Sequence, residues 1–362
     1  MTGSAIRFEG SGHAPLVVST RGDAIENVFH GSIAVVDDSG TLLASAGDPE
    51  TLTFTRSALK PFQAVPFVLD GGPQALGLQP RELALIASSH SGESFHVEGV
   101  ERLLAAAGAR VAQLRCGCHV PYFHEALRRP VPPGASFDAR HHNCSGKHAG
   151  FLAYCRLHSL DAERYVERDH PLQQRIRSVV AALAGLGEDR IAVGIDGCSA
   201  PNLALPLRSL ARLFARLAAA GQNAERREPF DAALRPIADA MATHPQYVSG
   251  TGRSDLAFSD AGGGDWICKA GAAGVQGIGV RSRRWGIAVK IGDGNGSARD
   301  VAAIEALRQL GLPGAAAPAL AQWARPALHN AAELRVGEYA PVFTLRREPG
   351  STLPEQLSGR DR

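Results

Sequence analysis

The sequence has no long hydrophobic run, little excess charge of either sign, and few aromatic, methionine or cysteine residues. Its longest apolar stretches, such as Val179 to Leu186, fall far short of the ~20 residues a membrane-spanning helix needs. The first thirty residues contain no apolar h-region followed by a small-residue cleavage site, so the expectation is a soluble, cytoplasmic protein that is not exported. Across 362 residues, 38 Lys and Arg stand against 36 Asp and Glu. The net charge of +2 leaves no electrostatic footprint for nucleic acid or an anionic membrane, and it points to a small or uncharged partner. Six cysteines (Cys116, Cys118, Cys144, Cys155, Cys198 and Cys268) are too sparse for a disulfide scaffold. No C-x-x-C pair exists, which excludes a structural zinc finger built on four cysteines.

What is present is a chain 44% hydrophobic with 40 glycines and 22 prolines, enough for a large core and many tight turns. Pro15 to Thr20, Gly31 to Val36 and Thr41 to Ala46 read as a meander, with Asp37 to Gly40 as a hairpin loop. Helical patterns follow over Ser57 to Leu69, Arg81 to Ala87 (opened by Pro80) and His96 to Ala107. After an irregular middle, amphipathic helices are expected over Lys147 to Leu157, Pro171 to Leu186, Leu205 to Ala219 and Pro229 to Thr243. A short strand, Arg190 to Ile195, interrupts them and ends in the turn Asp196-Gly-Cys-Ser199. Trp266 to Cys268, Gly274 to Val280 and Trp285 to Ile291 read as strands, and Ala298 to Leu310 as a helix. Strands at both ends with helices between predict an α/β (α+β) fold with a mixed or antiparallel sheet. We read one composite domain, with a sheet region of roughly 1–137 and 245–362 and a mostly helical region of 138–244.

Two glycine motifs do not make nucleotide sites. In Gly292 to Gly296 the third glycine of a dinucleotide loop falls on Ser297 or Arg299. At Gly146-Lys147, His141 and His148 stand where a P-loop needs Gly and Ser or Thr.

The remaining clusters carry chemistry. Ser57-Ala-Leu-Lys60 is an S-x-x-K: three residues advance a helix by about 300° and 4.5 Å, so hydroxyl and amine share a face. A desolvated lysine with a lowered pKa serves as base for a serine nucleophile, whereas the bland alternative is an exposed helical lysine after an N-terminal serine. Ser88-Ser-His90-Ser91-Gly-Glu93 is dense in hydroxyl, imidazole and carboxylate groups; helix capping accounts for Ser91 but not for Ser88, Ser89 and His90. His141 to His148 gathers three histidines with Asn143, Cys144 and Lys147, material for a metal site, a thiol nucleophile or a carboxylate pocket. Only Ser145 and Gly146 there have ordinary backbone reasons, as N-cap and turn residues. Asp196 and Cys198 close a strand, suited to an ammonium receptor and a metal ligand, or equally to a cap and a buried hydrophobe. Cys116-Gly-Cys118-His119 ranks second as a ligand group. Lys269 stands among small residues that would let it be desolvated; a solvated strand-end lysine is as good a reading.

Taken together, Arg56-Ser57-Ala-Leu-Lys60-Pro61, Ser88-Ser89-His90-Ser-Gly-Glu93, Asn143-Cys144-Ser-Gly-Lys147-His148-Ala-Gly150, Gly194-Ile-Asp196-Gly-Cys198-Ser-Ala-Pro201-Asn202 and Lys269-Ala-Gly-Ala-Ala-Gly274 resemble the rhizobial-type (class 3) L-asparaginases. Order and spacing match from about Pro15 to Arg346. The resemblance implies a fold similar to serine β-lactamases, penicillin-binding proteins and glutaminases. It implies two Ser–Lys tandems, Ser57 with Lys60 and Ser89 with Lys269, and a zinc ion on Cys144, Lys147 and Cys198. It also implies substrate binding by Asp196, Arg56, His148 and Lys147, and a homodimer. The expected activity is hydrolysis of L-asparagine to L-aspartate and ammonia through an acyl-enzyme, with Ser57 as nucleophile and zinc shaping the pocket rather than activating water. The chain departs from the pattern at Ala273, where an acidic residue is expected after the Lys motif. No role attaches to Cys118. Two other functions compete: an S-x-x-K hydrolase of glutamine or a β-lactam, and a non-catalytic metal-binding or metal-sensing protein.

Overall fold

The computed structural model describes residues 12–222, 230–351 and 353. Twelve strands are described: β1 (Ala14–Arg21), β2 (Ala24–Asp37), β3 (Leu42–Ala46), β4 (Leu52–Phe54), β5 (Ala192–Ile195), β6 (Pro201–Pro206), β7 (Trp266–Gly271), β8 (Val275–Val280), β9 (Trp285–Ile291), β10 (Ala327–His329), β11 (Arg335–Pro341) and β12 (Arg346–Arg347). Nine of them form one sheet in the order β10-β11-β1-β2-β9-β8-β7, with β3 on β2 and β12 on β3. Its pairings are all antiparallel. The N-terminal β2 runs against the C-terminal β9 from Gly31 opposite Ile291 to Asp37 opposite Trp285. Terminal strands thus build the sheet, as expected.

The helical stretch is wider than 138–244, since helical elements run from Arg56 to Gly262. The helix expected over Ser57 to Leu69 is broken into a 3-10 turn, Arg56–Leu59, and two short helices, Lys60–Gln63 and Val65–Leu69. Pro61 and Pro66 cause this, because each lacks the N–H that a continuous helix needs. The expected helix from Pro229 begins at Asp231; Pro229 lies outside the described residues. The C-terminal strands β10 to β12 are not expected from the sequence, because their half-exposed residues show no apolar alternation.

The sheet has helices on both faces. Alternation along β2 sends Ala34 and Val36 into one core and Ile33 and Val35 into the other. The first core receives helix Leu207–Ala219 through Leu210, Phe214 and Leu217, one face at helical spacing. Helix and sheet touch backbone to backbone at Gly286, where an added Cβ would stand 1.8 Å from the Ala211 carbonyl oxygen. The second core packs helix Gly296–Gln309 through Val301, Ala302 and Leu307.

A second, small sheet has the order β4-β6-β5. Its middle strand, β6, begins and ends with proline, which hides it from a sequence reading. Thr55 fastens β4 to it, N–H and hydroxyl both donating to the Leu203 carbonyl at 3.0 and 2.9 Å. This brings Arg56 beside the turn that follows β5.

Candidate active site

Lys60 opens the helix after the 3-10 turn and is 1% exposed. Its Nζ lies 2.6 Å from the Ser88 carbonyl oxygen, 3.4 Å from that of Asn143 and 3.0 Å from the Ser89 hydroxyl. A neutral lysine amine has two N–H donors and one lone pair, and this set offers two acceptors and one O–H. Burial pulls its pKa below the usual lysine range, against the Cys144 thiolate and with help from Lys147. The hydroxyl in contact with Lys60 is therefore that of Ser89. Ser57, three residues earlier in a 3-10 turn whose i and i+3 side chains eclipse, is partly exposed.

Ser57 and Ser89 line one cavity of about 630 Å³ together with Asn143, Arg253, Ala270 and Gly271. Ser89 is held there by its N–H on the Val248 carbonyl at 2.9 Å. His90 is buried beside it. Its Nδ1 accepts from the Gly92 N–H at 3.1 Å, so its Nε2 donates to Ser145 Oγ at 2.8 Å, and Ser145 donates to the Arg140 carbonyl at 2.7 Å. Ser145 thus ties two segments together instead of capping its helix, Ser145–Leu157, whose N-cap is Cys144. Gly146 permits close packing: an added Cβ would meet the Leu85 carbonyl oxygen at 2.3 Å. Capping of helix Ser94–Ala107 falls to Glu93, not Ser91.

Lys269, on β7, is fully buried, and its Nζ stands 3.5 Å from Asp255 Oδ2. Burial brings its pKa down to about 7, with Asp255 opposing and Lys60 and Arg253 adding. Asp255 also accepts the Ala270 N–H at 2.9 and 2.8 Å and the Gln276 amide at 3.2 Å. Its own pKa lies below the usual carboxylate range, since Lys269 and the Ala270 N–H outweigh burial. The acid paired with Lys269 thus comes from helix Ser254–Gly262, not from the loop at Ala273, which takes a left-handed φ of 57°. Sequence reasoning missed Asp255, because a Ser-Asp pair entering a helix reads as ordinary first-turn chemistry. Arg253, just before it, was missed too.

The structure brings Cys144, Lys147 and Cys198 together. Lys147 Nζ lies 3.0 Å from Cys198 Sγ, and all three residues are buried. The hydrogen bond from Cys198, aided by Lys60 and Lys147, takes the Cys144 thiol well below its usual pKa despite burial. Burial works against the Lys147 ammonium, but the negative charge of the Cys198–Cys144 thiol pair outweighs it and holds its pKa high. Among the described residues, no group of three or more His, Cys, Asp or Glu side chains is gathered for a metal. The donors here are two sulfurs and an amine, a soft set of the kind zinc accepts. Cys116 is buried, with its thiol pushed up to about 12, chiefly by that burial.

The expected substrate-binding residues are distributed differently. Arg56 takes a left-handed φ of 49°, donates its N–H to Asn202 Oδ1 at 3.1 Å, and pairs through Nε with Asp196 Oδ1 at 2.8 Å. The pair lines a neighbouring cavity of about 400 Å³ with Phe54, Ile195, Ala273 and Lys290. His148 lines neither cavity; it is fully buried with Nδ1 2.7 Å from the Tyr165 hydroxyl, and burial takes its pKa to about 4.

Among solved structures, the chain is similar to Mglu in its native form in 4.3 M NaCl, at 18% identity and a TM-score of 0.45 over 78% of this chain. It spans 60% of the length of that Mglu chain. It is also similar to a β-lactamase (Mb2281c) from Mycobacterium bovis, at 14% identity and a TM-score of 0.40 over 81% of this chain and 95% of that one. No curated protein matches the chain. The family model described as L-asparaginase II matches residues 17–341, a span that includes every side chain of both cavities and of the thiol cluster, and the chain belongs to the L-asparaginase II family.

Proposed function

We propose that the protein is an L-asparagine amidohydrolase that releases L-aspartate and ammonia through a serine acyl-enzyme. One observation carries this reading: a buried lysine, Lys60, touches the hydroxyl of Ser89 at 3.0 Å on the wall of a cavity that Ser57 shares. Family membership supports amide hydrolysis of the asparaginase type.

In the proposed reaction, the Ser57 oxygen attacks the side-chain amide carbon and its proton passes to Lys60, directly or across the Ser89 hydroxyl that Lys60 holds. The proton returns to the amide nitrogen, the C–N bond breaks, and ammonia leaves. Water then attacks the ester carbon, its proton taken by the same base, and aspartate is freed. The Ser57 backbone N–H is one oxyanion donor in this scheme. Ser57 is favoured because it is the more open of the two hydroxyls. The Lys60 contact favours the opposite order, with Ser89 as nucleophile and Ser57 supporting it. Intact-protein mass spectrometry during turnover decides. Ser57→Ala is expected to accumulate no acyl adduct and to lose about 10³-fold or more in kcat. Full ammonia release by this variant transfers the role to Ser89, and Ser89→Ala then carries the larger loss. Substrates run beside asparagine test the competing functions. Faster release from glutamine, or opening of a β-lactam, points to another S-x-x-K hydrolase, and no turnover with tight zinc binding points to a metal sensor.

We propose zinc at Cys144, Lys147 and Cys198, the amine binding after loss of its proton. Bound there, the ion would organise the wall behind Lys60 without serving as nucleophile activator. Elemental analysis is expected to find one zinc per chain, falling several-fold in Cys198→Ser; metal-free protein as purified would count against it. A homodimer is proposed from the family resemblance, and sedimentation tests it. No described helix is long and apolar enough to cross a membrane, and a cytoplasmic location is part of the same proposal.

A further inference from the structure

The cavity shared by Ser57 and Ser89 contains a cation with no ion-pair partner among the described residues. Arg253 lines it, yet no carboxylate lies within ion-pair distance of its guanidinium among the described residues. The two acids nearest in charge are already engaged: Asp255 by Lys269, Gln276 and the Ala270 N–H, and Asp300 by Arg299. What Arg253 does have are positioning contacts. Its Nη1 lies 3.4 Å from the Ser89 carbonyl oxygen, and its guanidinium stacks 5.2 Å from the centre of the Tyr122 ring. An aromatic shelf orients a guanidinium without neutralising it, and leaves hydrogen-bonding edges for a planar anion. Ser89 therefore joins two functions at one residue, its carbonyl against Arg253 and its hydroxyl against Lys60.

The other cations do not offer this. Arg56 is tied to Asp196 at 2.8 Å in the neighbouring cavity, and Arg299 is tied to Asp300. Lys60 and Lys269 are at most 1% exposed. His148 is sealed from both cavities. A substrate reaching Ser57 or Ser89 with a free carboxylate thus finds one cation that has no ion pair among the described residues, on a wall that also carries the exposed Glu125 carboxylate. We infer that Arg253 is the residue that binds the substrate's α-carboxylate, setting specificity for amides of acidic amino acids whose carboxylate is free. The inference rests on the amidohydrolase reading above and names a part of its substrate. Burial lowers the Arg253 pKa, against Asp255 and with Arg299, consistent with a cation whose partner arrives with the ligand.

The test compares L-asparagine with L-asparaginamide, in which the carboxylate is a neutral amide, and adds calorimetry with L-aspartate. Arg253→Gln is expected to raise KM for asparagine about 10–100-fold, the range of one hydrogen-bonded charge contact, with a smaller change in kcat. Its preference for asparagine over the diamide is expected to fall by the same factor. Arg253→Lys keeps the charge but loses the fork, so it is expected to retain most of that preference at a KM between the two. Thermal unfolding checks that each variant is folded. An unchanged KM or an unchanged preference in Arg253→Gln overturns the inference; should that variant unfold, an unchanged KM in Arg253→Lys does so. A wild-type protein that releases no ammonia from asparagine refutes the amidohydrolase reading alone. In that case, L-aspartate binding that is lost in Arg253→Gln still supports the carboxylate site, and absent or undiminished binding overturns it.

Discussion

Lys60→Met is expected to lower kcat/KM for asparagine by about 10³- to 10⁴-fold, the contribution of a positioned general base together with the activation of its serine. The variant is expected to fold. Methionine has nearly the same length, and it removes an amine that burial already penalises, leaving the Ser88 and Asn143 carbonyls and the Ser89 hydroxyl to find new partners. Ammonia release and thermal unfolding, measured on one preparation, separate these effects. A folded variant within ten-fold of wild type would show that the base is elsewhere, with Lys269 the next group to test.

The second large effect is at a residue that touches neither serine. Asp255→Ala leaves the Lys269 ammonium buried without its carboxylate, and breaking a buried pair from one side costs about 3–5 kcal/mol. The pH dependence separates this loss from general damage. Lys269 titrates at about 7 in the fold against 10.5 for the free side chain, so between those values the unfolded chain holds the proton that the native state has released. Stability from this group therefore rises with pH across about 7 to 10.5 and is lost as pH falls back through 7. Asp255 behaves as a depressed carboxylate, and its contribution is lost on acidification below its ordinary value of 3.8. Without Asp255, which holds the Lys269 pKa up, the lower edge of the Lys269 window is expected to move below 7. Stability measured by denaturant between pH 5 and 10 reads both effects. A variant with wild-type stability at pH 6 would mean that the pair is solvated and carries no such energy.

Local patterns fared well where one element decides the outcome. The meander of β1 to β3 and strand β9 follow from apolar, β-branched runs set between turn residues, and the long helices from the periodicity of a buried face. The short strands β4, β6 and β10 to β12 were invisible, since proline ends or half-exposed residues remove the alternation that marks a strand. At the site, residue types within a motif were legible, and the contacts between motifs were not. Cys144, Lys147 and Cys198 are brought to one place, and Lys60 reaches Ser89, 29 positions on. The partner of Lys269 sits 14 positions upstream, at the start of a helix. Such pairings depend on where helices dock against the sheet, and no spacing along the chain encodes that.

The β2–β9 register has a temporal meaning as well. During synthesis, β2 is complete some 250 residues before its partner strand emerges, at about 5–20 residues per second. For that interval the central strand has an open edge carrying Ile33, Val35 and Val36, β-branched residues of the sort that pair with any available strand. Helices between Arg56 and Gly262 can form locally meanwhile, but the sheet that supports Lys269 cannot close until Ile291 has left the ribosome. The site is thus among the last features of the molecule to be built, which places its assembly under the control of long-range pairing rather than local helix formation.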